Sequence, residues 1–217
     1  MVPDLAQVLN TLAHEIRTPL AVSQGYLKLF LDGRLKDVDE TRKAMEQTRQ
    51  ALGSLATYCM DMGKISALAE GGARGIPARI TASDLVMSVR EHEEVRAAAF
   101  SGEPGTGQIE SANARDLAHA VAIVARAAFD EARDEAHAIE TRDDSNGLLV
   151  LAGTASALPA LQSGPGAPNA RPVDFVKGGK GLKLIWAAFV LDRHGVETWT
   201  DAGARASVGI RIPMVQA

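Results

Sequence analysis

In the stretch VDETRKAMEQTRQALGSLATYCMDMGKISAL, residues 38–68, Val38, Met45, Leu52 and Cys59 recur every seven residues, and Thr41, Thr48, Leu55 and Met62 form a second series. Two series at a seven-residue repeat mark a helix that packs along its length against another helix. The segment before it supplies that neighbour: Leu5, Leu9, Leu12, Ile16, Leu20, Leu27 and Phe30/Leu31 follow in steps of three, four and seven, as one helical face requires. Asp32-Gly33-Arg34-Leu35-Lys36 separates the two as a glycine turn. Asp37, with Glu40 three residues later, has the form of an N-terminal cap with its reciprocal carboxylate. The pattern predicts an antiparallel helical hairpin over residues 1–70, with the Val38 series in its core and Cys59 buried there as a small hydrophobe. A lone pair of helices leaves apolar surface on the side away from its partner, and a second copy would cover it. The expectation is a homodimer closing a four-helix bundle.

Glu70 to Pro77 is glycine-rich and ends the heptads, so a second domain is expected over residues 77–217. There the periodicity is mixed. Ser83 to about Phe100, including the Arg96-Ala97-Ala98-Ala99 run, Ala114 to about Arg133 and Leu182 to Arg193 read as helices. His137 to Arg142 and Gly147 to Ala152 read as extended, residues 163–172 as a proline-glycine loop, and Val196 to Thr200 with Ser207 to Ile212 as a closing hairpin. The whole is an α+β chain whose second domain layers helices on one face of a mixed sheet.

Composition narrows the class. Of 217 residues 46% are apolar and 23% charged, which is ordinary for a globular chain of a size that buries roughly 70% of its surface. The net charge of −4 leaves no cationic excess to neutralise a phosphate backbone, so no nucleic-acid partner is expected. A single cysteine forms no internal disulfide, the N-terminus lacks a secretory pattern, and the longest apolar run, Leu184 to Leu191, is far short of the ~20 residues of a membrane span. The expected compartment is the cytoplasm, without a membrane partner. His92, His119, His137 and His194 show no ligand-like spacing, so no metal site is expected, and Trp186 and Trp199 read as core.

The chemistry lies in His14-Glu15-Ile16-Arg17-Thr18-Pro19-Leu20 on the first helix. If Ile16 and Leu20 face a core, His14 and Thr18, four residues apart, share an outward stripe. A neutral imidazole can attack an electrophilic phosphorus, and the adjacent carboxylate of Glu15 can orient one ring nitrogen or take its proton. Pro19 donates no hydrogen bond to the Glu15 carbonyl and should bend the helix next to the histidine. The heptapeptide resembles the H-box of the dimerisation and histidine-phosphotransfer domain of two-component sensor histidine kinases. That resemblance implies that His14 accepts a phosphoryl group, that Glu15 assists as base, and that Thr18 positions water when phosphate is removed from a partner's aspartate. The partners it implies are the receiver domains of response regulators.

In that family the second domain is an ATP-binding α/β sandwich. Residues 178–185, with Asp192-Arg193-His194-Gly195 after them, resemble its last glycine box. Gly178, Gly179 and Gly181 are the residual cofactor-binding glycines, Lys177, Lys180 and Lys183 add positive charge, and Lys183 stands where the family usually has a further glycine. Asp116 to Phe129 is similar to the helix that offers asparagines to magnesium, yet the matching positions hold Ile123 and Ala127, which cannot ligate a hard cation. Leu149 to Thr154 resembles the strand carrying an adenine-reading aspartate, and Ala152 stands in its place. A shifted register bringing Asn113, Asp130 or Glu131 to the metal is the alternative. The resemblance, with these departures, implies a histidine phosphotransferase acting at His14, with no cofactor retained, ATP-driven autophosphorylation feeble or absent, and magnesium supplied by the partner receiver. A sensor-type kinase with a divergent ATP site, and a non-catalytic dimeric scaffold that binds receivers, are the competing readings.

Overall fold

The computed structural model describes residues 2–71, 77–132, 135–176, 181–204 and 206–215. Two long helices, α1 (Leu5–Leu31) and α2 (Val38–Ala69), form the antiparallel hairpin. Asp4 and Gln7 make a reciprocal cap at the start of α1. At the start of α2 the Asp37 carboxylate accepts the Glu40 N–H at 2.7 Å, while the Glu40 carboxylate accepts from the Lys36 N–H, one residue before the expected partner. The helix α1 continues through Pro19, which is buried.

The hairpin seam differs from the expected one. On α2 the series Ala44, Ala51 and Ile65 is buried with Tyr58 half-buried at the same repeat, and Thr41, Thr48, Leu55 and Met62 are half-buried. Val38, Met45 and Leu52 are 83%, 53% and 54% exposed, and Cys59 is exposed as well, so the expected core series lies outside the hairpin of one chain. On α1 Val8, Thr11 and Pro19 are buried and Leu12, Glu15, Ile16, Val22, Ser23, Tyr26 and Leu29 half-buried, whereas Leu5, Leu9, Leu20, Leu27 and Phe30 are exposed. Each helix is apolar over a stripe wider than one neighbour covers. The repeat alone leaves open which half of that stripe meets the other helix.

The second domain contains β1 (Ala78–Thr81), α3 (Ala82–Arg90), a 3-10 turn (Glu93–Val95), β2 (Ala99–Ser101), β3 (Gln108–Ser111), α4 (Ala114–Phe129), β4 (His137–Asp144), β5 (Gly147–Thr154), α5 (Leu158–Leu161), β6 (Ala170–Pro172), α6 (Gly181–Arg193), β7 (Glu197–Asp201) and β8 (Ser207–Ile212). The main sheet has the order β2-β4-β5-β8-β7-β6, with β2 parallel to β4 and the other neighbours antiparallel, and β1 pairs with β3 apart from it. Leu148, Val150 and Ala152 of β5, with Val208, Ile210 and Ile212 of β8, face the core that includes α3, α4 and α6. The alternate residues Leu149 and Leu151 face a second cluster with Leu158, Leu161 and Trp199, which buries both faces of β5. Trp186 and Trp199 are both buried, as expected.

The helix expected over residues 83–100 stops at Arg90. His92 caps the following turn by accepting the Glu94 N–H, and Phe100 is drawn into an edge strand beside Ile139, so Arg96 to Ala99 is not helical. Pairing with a strand far along the chain overrides the helical preference of the alanines. Val8 and Ile65 of the hairpin belong to the same apolar cluster as the second domain, so the two parts share one continuous core.

Candidate active site

His14 is exposed on α1, and Thr18 is exposed one turn further on. Both line a cavity of about 390 Å³ with Glu15 and Pro19, while α2 contributes Gln50, Ser54 and Tyr58 to its other wall. One residue is ~100° of helical rotation, so Glu15 turns away from the His14 stripe and enters the seam. There it is half-buried and lines the cavity together with Tyr58. Burial, and secondarily the Glu15 carboxylate, push the Tyr58 phenol above its ordinary value of 10.0. The first residue of α6 approaches from a third side: a Cβ on Gly181 would lie 3.6 Å from Glu15 Oε1. Gly181 has φ +80°, which favours glycine.

The hairpin thus presents an imidazole to solvent with a hydroxyl one turn away and a half-buried carboxylate lining the same cavity. A visiting group can reach the ring nitrogen without the hairpin opening. Tyr58 is absent from the motif-based set because it lies 43 residues from Glu15. Its signal was the series Ala44, Ala51, Tyr58, Ile65, in which a phenol interrupts an otherwise apolar repeat.

The other expected site residues lie in the second domain. Gly178 and Gly179, with Lys177 and Lys180, fall outside the described residues. Lys183 pairs with Glu94 at 3.4 Å. Ile123 is buried on α4, Ala127 is half-buried one turn on, and Ala152 is fully buried in β5. These side chains hold no donor atom for magnesium or adenine. Of the shifted-register candidates, Asn113 caps α4 by accepting the Asp116 N–H, its amide donates to the Asp116 carboxylate at 2.6 Å, and Asp130 pairs with Arg126 at 3.0 Å. A larger cavity, about 1200 Å³, runs between Asp61, Lys64 and Leu68 of α2 and a wall that includes His119, Lys183 and Trp186.

The remaining histidines have local partners. His92 stacks on His119 at 4.4 Å, His119 meets Trp186 at 5.0 Å, His137 stacks on Phe129 at 4.4 Å, and His194 bonds Ser111 and the Val190 carbonyl. No metal-binding group of three or more His, Cys, Asp or Glu occurs among the described residues. Nor, among them, is any helix long and apolar enough to cross a membrane.

Residues 4–66 match the His Kinase A (phospho-acceptor) domain family. No curated protein matches the chain in sequence. The fold is similar to that of the Acinetobacter baumannii histidine kinase AdeS, with a TM-score of 0.60 at 14% identity over 94% of this chain and 98% of that one. Full-length ShkA in complex with AMPPNP is similar with a TM-score of 0.55 at 18% identity, over 100% of this chain and 47% of that one. Histidine kinase ThkA in complex with the response regulator protein TrrA gives 0.55 at 16%, over 94% of this chain and 60% of that one. The chain therefore spans about half the length of ShkA and under two thirds of ThkA.

The class these features define is a phospho-acceptor helical hairpin joined to an ATPase-like α+β domain. The hairpin matches a His Kinase A (phospho-acceptor) domain over residues 4–66, which contain His14, and the chain as a whole has a fold similar to that of two-component histidine kinases.

Proposed function

We propose that this protein is a dimeric histidine phosphotransferase of a two-component phosphorelay, exchanging a phosphoryl group at His14 with receiver-domain aspartates. The observation that carries the reading is the contrast between the two halves of the chain. His14 is exposed beside Thr18 and Glu15, whereas the positions that would grip magnesium and adenine are the apolar Ile123, Ala127 and Ala152. Magnesium-ATP does not fit that donor set, and loss of its charge neutralisation removes several kcal/mol from phosphoryl transfer, at ~1.4 kcal/mol per tenfold in rate. The structural neighbour ThkA, in complex with a response regulator, supports a receiver as the class of partner.

In the transfer, the unprotonated ring nitrogen of His14 donates its lone pair to the phosphorus of the aspartyl phosphate. The P–O bond to the receiver's carboxylate breaks, and its electron pair leaves on that carboxylate. The other ring nitrogen keeps its proton, and the resulting phosphoimidazolium is stabilised by the Glu15 carboxylate. The reverse sequence returns the group to a receiver. The receiver brings the magnesium that its own acidic pocket holds. The exposed apolar series on both helices supports dimerisation, since a second hairpin would cover them.

Two incubations test this. With a phosphorylated receiver, wild type should acquire an acid-labile label that is absent from His14→Gln. With labelled ATP and magnesium it should acquire none. Rapid His14-dependent labelling from ATP would make the protein an autokinase, and no transfer from any receiver would leave a scaffold.

A further inference from the structure

We infer that α6 clasps the second domain rigidly to the hairpin, as a third helix of its bundle, so that the chain moves as one body and His14 is presented on a fixed scaffold. The clasp rests on packing alone, and only its consequence for His14 rests on the phosphotransferase reading.

The sequence of α6, GLKLIWAAFVLDR, is apolar almost throughout, and a helix apolar all round has to be covered on every side. Leu184 to Ala188 are five consecutive buried residues. At ~100° per residue they pass once round the helix, so no side of that stretch faces water. One side is covered by α4 and the core of the second domain, and α1 and α2 pack on the other. On the hairpin, Val8 and Ile65 are buried in that same cluster, with Leu12, Met62 and Leu68 half-buried against it. The contact is extended along the hairpin. Gly181, the first residue of α6, lies beside Glu15, and Asp192, near its last, lines a cavity with Asp61 and Lys64 of α2.

Lifting the second domain off the hairpin would expose two apolar faces at once, that of α6 and that of Val8, Leu12, Met62 and Ile65. Such exposure is unfavourable in proportion to the apolar area it wets. Two domains joined by a linker alone move freely, whereas a shared apolar core resists that motion. The clasp covers the end of the hairpin where α1 begins and α2 ends. It stops at the level of the H-box, which leaves His14 and Thr18 exposed and the Met45 and Leu52 face open. A receiver that brings its own magnesium can therefore meet the imidazole while α6 stays docked, and transfer needs no swing of the second domain.

Both tryptophans, Trp186 and Trp199, lie in the second domain, whereas α1 and α2 hold most of the helix among the described residues. Urea unfolding of the full chain, followed by tryptophan fluorescence and by far-ultraviolet circular dichroism, should give one coincident transition. A helical signal that outlasts the tryptophan signal, or is lost before it, would overturn the inference. Val190 is buried on α6 and lines the cavity opposite α2, so Val190→Ala should lower the dichroism midpoint as far as the fluorescence midpoint. A shift seen by fluorescence alone would show a hairpin that stands without the second domain, and the clasp would fail. Rigidity has its own readout in backbone amide spin relaxation, where α2, β5 and β8 should report one rotational diffusion. Faster tumbling of β5 and β8 would reveal a swinging domain and likewise overturn the clasp. If every receiver failed to phosphorylate His14 while these results came out as expected, only the phosphotransferase reading would fall.

Discussion

His14 and Glu15 are adjacent, yet one faces water and the other the seam, and that split is what the site uses. The exposed imidazole is open to a docking partner, and the half-buried carboxylate shares its cavity with Tyr58. The H-box itself was readable from seven consecutive residues. Tyr58 was not, because a contact across 43 residues has no local signature beyond its place in a heptad. A second residue-scale feature is structural. Gly209 of β8 lies opposite Trp199 of β7, and a Cβ there would collide with the indole ring. Trp199 is buried and Arg211 covers it from 5.6 Å, so the ring has little room to retreat. Gly209→Ala should destabilise the protein by about 1–3 kcal/mol through overpacking, seen as a lowered denaturation midpoint; an unchanged midpoint would show that the ring moves freely.

At the scale of elements, α2 carries three interleaved heptad series with three fates. The Ala44 series packs within the hairpin, the Thr41 series borders it, and the Val38 series is left outside. The small Ala44 and Ala51 sit inside the hairpin, and the larger Met45 and Leu52 sit on the open face. The open faces of α1 and α2 are apolar, through Leu20 and Leu27 on one and Met45 and Leu52 on the other, which is what a dimeric bundle requires. Placing charge there, in Met45→Glu with Leu52→Glu, should halve the mass measured by light scattering while leaving the helical circular dichroism largely intact. A wild-type protein that is already monomeric at micromolar concentration would refute the dimer. The expected Val38 seam placed Cys59 in the core of one chain, whereas the structure leaves it exposed. Periodicity reports that a residue faces some helix, without saying which.

At the scale of the whole molecule, the hairpin and the second domain are joined by a common core through Val8 and Ile65 and by α6, whose first residue reaches Glu15. Between them lies the larger cavity, where His119 is packed against His92 and Trp186. Burial first, and then the charges of His92 and Lys183, push the His119 imidazole below its ordinary value of 6.5, with Glu94 and Asp116 opposing. The unfolded chain therefore binds this proton more readily than the folded one. The contribution of His119 to stability is present above pH ~6.5 and is lost as pH falls through its folded value. Thermal unfolding at pH 7.5 and 5.5 should show a drop that is smaller in His119→Gln; an equal drop in both proteins would exclude His119 as its source. Sequence by itself determined the hairpin, the Asp37 cap of its second helix, the H-box motif and the closing β7–β8 pair, because each rests on spacing or capping within a few turns of chain. Tertiary structure decided which heptad series faces α1, that Phe100 joins a strand, and that Tyr58 stands across from Glu15. Each of those depends on which distant residues come to share a surface, and local spacing carries no term for that.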